Sequence, residues 1–130
     1  MQSLYFAAGS VALITGIVHS VLGEMLIFKH LRNGGFIPSI GAPPLREKNI
    51  RILWATWHLA SAFGWAFAGI LFWLAFKPQD SALIRVVLSA IVLANLGGSG
   101  LVLIGTKGRH PGWIALLTVA VLTALAARAS

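Results

Sequence analysis

An all-α membrane fold, an antiparallel four-helix bundle threaded up-down-up-down, is what this sequence predicts, and three observations predict it. The 130 residues are 58% hydrophobic and 10% charged, with a mean hydropathy of +0.86, far from the roughly 25% charged residues of soluble domains. Apolar residues gather into four blocks, about 4–28, 52–76, 82–106 and 112–128. The first three reach the ~20 residues that cross ~30 Å of hydrocarbon, and the fourth stands at the ~17-residue limit. No block shows the period-2 alternation of a barrel strand, so each span satisfies its backbone polar groups as a helix. Little chain remains outside the blocks, and residues 1–130 read as a single four-span domain.

The first block follows Met1-Gln2-Ser3, which lacks a basic leader, and it is longer than the apolar core of a cleaved signal, so it reads as a retained span. The connection 33–49 carries Gly34, Gly35, Pro38, Gly41, Pro43 and Pro44, which preclude a regular helix through its centre. It also keeps Phe36, Ile37, Ile40 and Leu45. A plain cytoplasmic loop is the simpler expectation; a segment lying on the membrane or dipping into the bundle mouth is the other. In the second connection Pro78 stops span two, and Asp80 or Ser81 is placed to cap span three. In the third, Lys107 to Trp113, Pro111 suits the first turn of span four. Tight turns impose antiparallel neighbours.

The formal charge is +7 and cysteine is absent, which excludes disulfides and thiolate chemistry. The basic residues flank the apolar blocks, so nucleic acid is not the expected partner. Lys29, Arg32, Arg46, Lys48, Arg51, Lys107 and Arg109 fall on one side of the membrane, against Lys77, Arg85 and Arg128 on the other. The positive-inside rule then puts both termini outside and the two basic loops in the cytoplasm.

Chemistry is expected where polar groups interrupt the apolar blocks. Glu24 and His19 lie in the first span of a chain with three acidic residues in all, and ionisable groups at membrane depth are costly and rarely idle. Counting ~1.5 Å per residue from the basic boundaries puts His19, His58, Ser61, Asn95, Ser99 and Thr118 in the cytoplasmic half, with Glu24 shallower. On span two, a 100° step brings Arg51, Trp54, His58, Ser61, Ala62, Trp65, Gly69, Phe72 and Phe76 onto one inward stripe. On span one, Gly9, Gly16 and Gly23 recur every seven residues. That strip reads as a close helix approach, a flat slot for a planar cofactor, or a flexible line.

Two imidazoles from adjacent spans suggest haem b or a transition metal ion, with His19 and His58 as ligands and Gly16, Gly23, Trp54, Ser61 and Asn95 around them. A non-haem set would draw on His19, Glu24, His58 and His110. Redox or electron transfer is the leading functional expectation. A small transporter or channel using Glu24, and a non-catalytic accessory protein, are the alternatives. Glu24 could also simply pair with Arg51, Lys48 or Lys107. Anionic lipid headgroups are expected at Lys107, Arg109 and His110, ahead of a helix N-terminus. A homo-oligomer or a larger membrane complex is a further expectation.

The segments His19-Ser20-Val21-Leu22-Gly23-Glu24, Arg51-Ile52-Leu53-Trp54-Ala55-Thr56-Trp57-His58 and Arg109-His110-Pro111-Gly112-Trp113 resemble those of small uncharacterised four-span bacterial inner-membrane proteins. That resemblance implies a bacterial source and four spans, and transfers no functional residue. The chain lacks the glycine-rich and phenylalanine signatures of small fluoride channels. It resembles small multidrug transporters only in size and in one glutamate of the first span.

Overall fold

The computed structural model describes residues 1–77 and 81–129. Its described residues form four α-helices and no strand: α1 Gln2–Leu26, α2 Glu47–Phe76, α3 Ala82–Gly105 and α4 Gly112–Arg128, with a 3₁₀ turn at Phe28–Leu31. α1, α2 and α3 are long and apolar enough to cross a membrane, and α4 is shorter at 17 residues. Only 22–28% of the apolar window of each long helix is buried inside the protein. Leu83, Leu101 and Ile104 are more than 70% exposed, a surface suited to lipid and unsuited to water.

Helix boundaries follow the sequence closely at α3 and α4. Ser81, in extended backbone, caps α3 by accepting the Ile84 N–H at 3.2 Å. The expected roles of Pro78 and Asp80 lie outside the described residues. α2 begins at Glu47, five residues before the apolar block. Its first turn is charged and self-supporting: the Arg46 N–H donates to Asn49 Oδ1 at 3.2 Å, and Glu47 pairs with Arg51 four residues on at 2.7 Å. Hydropathy locates the membrane edge there and not the helix end. α1 ends at Leu26, where the chain turns so that Phe28 is buried at 2% exposure.

The chain divides into two compact units, Met1–Thr15 with Gly64–Ser130, and Gly16–Phe63. In the first, Tyr5 and Ala8 of α1, Leu71 of α2, Ile91 of α3 and Val119 of α4 share one apolar core, consistent with the expected four-helix bundle. Small residues let the backbones close: a Cβ at Gly9 would stand 3.0 Å from the Phe72 ring and 3.3 Å from the Ala68 carbonyl oxygen. The α3–α4 turn is tight. Gly108, at φ +74°, donates its N–H to Leu103 O at 2.8 Å. Ser99 Oγ ties the two helices by donating to Trp113 O at 2.8 Å.

In the second unit the Gly/Pro-rich connection is an ordered strap. The Ser39 and Ile40 N–H groups both donate to Leu31 O at 2.9 Å, and Pro38 is fully buried.

The inward stripe expected on α2 needs correction. Trp65 is 40% and Phe76 73% exposed, and Gly69 is also exposed. The covered face runs instead through Ile50, Trp54, Ser61, Gly64, Ala68 and Ala75. Small side chains at Ser61, Gly64, Ala68 and Ala75 permit close packing along that face, while Trp65 and Phe76 turn outward.

Thr123 is fully buried on α4, and its hydroxyl has no hydrogen-bond partner among the described residues. Thr123→Val should therefore leave stability unchanged or raise it by about 1 kcal/mol, read as a shifted unfolding midpoint in mixed detergent micelles. A loss of that size would show that the hydroxyl is satisfied.

Candidate functional site

Ser20 and Glu24 are four residues apart on α1 and share a face; Trp54, His58 and Ser61 occupy positions i, i+4 and i+7 of α2. Within the Gly16–Phe63 unit these two rows meet. His58 Nε2 lies 2.9 Å from Glu24 Oε1, and His58 Nδ1 lies 2.9 Å from Ser20 Oγ. Ser20 Oγ is in turn 2.9 Å from Ser61 Oγ. Trp54 Nε1 donates to the same Glu24 Oε1 at 2.7 Å, while Arg32 forms an ion pair with Oε2.

Donor and acceptor chemistry orders this chain. An ionised carboxylate only accepts, so the neutral imidazole carries its proton on Nε2 and presents the Nδ1 lone pair. In that tautomer Ser20 donates to Nδ1, with its Oγ 2.9 Å from Ser61 Oγ. Glu24 accepts from a cation and two ring N–H groups, which fixes it as the anchoring acceptor. The side chains of Arg32, His58 and Glu24 keep 21%, 26% and 28% of their exposure, so the cluster is sheltered but reachable.

Arg32 is held in place from its other side. Its Nε donates to Phe36 O at 2.5 Å, and its guanidinium lies 5.5 Å from the Phe36 ring centroid. Phe36 packs edge-on against Trp54 at 5.7 Å. The strap thus closes over the carboxylate. Glu24 pairs with a cation as one expectation had it, but the partner is Arg32, not Arg51, Lys48 or Lys107; Arg51 pairs with Glu47.

His19 has different company. Its ring stacks on the Trp57 indole at 4.3 Å and 6°, and Trp57 Nε1 donates to the His19 carbonyl oxygen at 2.9 Å. The indole lies against Gly23, where any Cβ would collide with its pyrrole edge. At Gly23 the strip leaves a slot that the Trp57 indole fills. Gly16 is buried on the same helix.

Of the residues singled out from sequence, His19, Glu24, Trp54, His58, Ser61, Gly16 and Gly23 fall in this unit. Asn95 belongs to the other, where its amide donates to Ile91 O at 2.9 Å. His110 sits at the α3–α4 turn, its Nδ1 accepting the Gly112 N–H at 3.0 Å. Among the described residues no three of His, Asp or Glu come together as a group able to hold a metal ion. Ser20, Arg32 and Trp57 were not singled out. Ser20 was detectable from its i,i+4 relation to Glu24; Arg32 looked like one more boundary charge.

The fold and the site together define a small all-helical protein, its apolar helices suited to a membrane, that holds a carboxylate–imidazole–hydroxyl chain. No family model, curated protein or solved structure matches this chain.

The packing at Gly23 has a measurable consequence. Gly23→Ala should cost about 1–3 kcal/mol, since the added methyl displaces the indole. Gly69→Ala, whose Cβ would meet nothing within 4 Å, should cost nothing. Unfolding midpoints of the two variants check this, and equal midpoints would refute the slot.

Proposed function

We propose that this chain is a multi-pass protein of the bacterial inner membrane, with both termini outside, whose Glu24–His58–Ser20 chain is an acid–base site. His58 accepts and returns a proton at the Ser20 hydroxyl, and Glu24 holds the imidazole in the tautomer that makes this possible. One observation carries the reading: a single imidazole bridges a carboxylate and a hydroxyl, each at 2.9 Å. The basic residues of the 29–51 segment, counted by the positive-inside rule, favour the cytoplasmic half for this site.

Two other uses of the same residues make different demands. Haem b or metal ligation by His19 and His58 requires His58 to release Ser20 or Glu24. Transport of a cation or proton through Glu24 requires Arg32 to leave the carboxylate. Acid–base work at Ser20 requires neither rearrangement, and this is what favours it.

Nitrogen-15 NMR of histidine-labelled protein in lipid nanodiscs tests the site. His58 should show a single neutral tautomer, protonated at Nε2, and Glu24→Gln should replace it by a mixture. A proton on Nδ1 in the neutral form would overturn the proposal. So would a Soret band in haem-supplemented preparations, or a proton flux into liposomes that Glu24→Gln abolishes.

A further inference from the structure

We infer that Ser20 is a nucleophile and that the site takes the acyl ester of a membrane lipid; the inference rests on the acid–base reading of His58. Nucleophilic catalysis by serine needs a base within hydrogen-bond reach, a group that orients the base, and a donor for the developing oxyanion. The first two are Ser20 to His58 Nδ1 at 2.9 Å and His58 Nε2 to Glu24 at 2.9 Å. Trp54 and Arg32 hold the carboxylate from both oxygens. Ser20 lies inside α1, where backbone N–H groups are spent on the helix, so the third role falls to a side chain. The Ser61 hydroxyl, 2.9 Å from Ser20 Oγ, stands beside the nucleophile and is the side chain assigned that role.

The surroundings name the substrate class. Ile17 and Val21 flank Ser20 on α1 and are 46% and 48% exposed, an apolar rim for acyl chains. Lys29 and His30 are exposed on the 3₁₀ turn beyond α1 and suit a lipid phosphate. A carboxylic ester also asks less of one side-chain donor than an amide does, because an alkoxide leaves more readily than an amide nitrogen.

The step balances. Ser20 Oγ bonds to the ester carbonyl carbon while its proton passes to His58 Nδ1; the tetrahedral oxyanion collapses, the ester C–O bond breaks, and the alcohol leaves with that proton. Water then attacks the acyl-serine, giving its proton to His58, and Ser20 recovers a proton as the carboxylic acid departs.

The test uses the full chain in nanodiscs, a fluorophosphonate probe, and vesicles of ester-linked or ether-linked phosphatidylglycerol. The expected result is one covalent adduct, mapped to Ser20 and absent in Ser20→Ala. Its rate should fall about 100-fold or more in His58→Gln, and Glu24→Asp should retain more of it than Glu24→Gln. Fatty acid should be released from ester-linked vesicles only. No adduct at Ser20, or an adduct indifferent to His58→Gln, would overturn the nucleophile. Labelling without fatty-acid release would overturn the lipid-ester substrate. If the Nε2–H tautomer is present and labelling fails, only this inference falls; if the tautomer is absent, the acid–base reading falls with it.

Discussion

A carboxylate inside an apolar helix must be compensated, and the second unit of this protein is organised around that need. Glu24 has no cation on its own helix within a turn. The compensating charge is supplied from beyond the helix end: α1 stops at Leu26, a 3₁₀ turn buries Phe28, and the strap returns Arg32 to Glu24. Breaking one side of a sheltered ion pair strands the other charge, so the strap and the carboxylate are conditional on each other. Backbone hydrogen bonds from Ser39 and Ile40 to Leu31, and the Arg32 bond to Phe36, keep the strap closed. The Gly/Pro composition that bars a helix is what permits so sharp a return.

The two imidazoles show how environment assigns roles to identical side chains. His58 meets an obligate acceptor on one nitrogen and a hydroxyl on the other, so both ring nitrogens are engaged by side chains. His19 is held by stacking on Trp57 and by its backbone carbonyl, which the same indole engages. Gly23 makes that arrangement possible by leaving the indole room against α1. One planar group therefore fixes the spacing of the two helices beside the His58 chain.

Much of the fold was legible because its signals are local. The α3 start coincides with an apolar edge and a serine cap, and the α3–α4 turn with a Lys107–Gly108 pair that adopts left-handed backbone. The α2 start was not legible from hydropathy, because its first turn is polar and stabilised by its own capping and ion pair. In the site, Trp54, His58 and Ser61 could be grouped because they repeat with the helical period. Glu24 was read beside His19, five residues away and on another face, when its helical neighbour Ser20 completes the chain. Arg32 could not be assigned, since sequence alone does not say where a Gly/Pro-rich segment carries its charge.

Several polar side chains elsewhere in the apolar helices are satisfied differently. Asn95 donates to Ile91 O, Thr118 to Ile114 O and Thr106 to Val102 O, each within its own helix. Ser99 reaches one carbonyl on α4. Each such bond ends at a backbone acceptor and needs no titratable partner. His58 instead spends both nitrogens on side chains of α1, one a carboxylate that itself requires a cation. Interhelical side-chain bonds in membranes average only ~0.6 kcal/mol, a return that an apolar pair would match without burying a charge. The arrangement therefore costs desolvation and gains little stability.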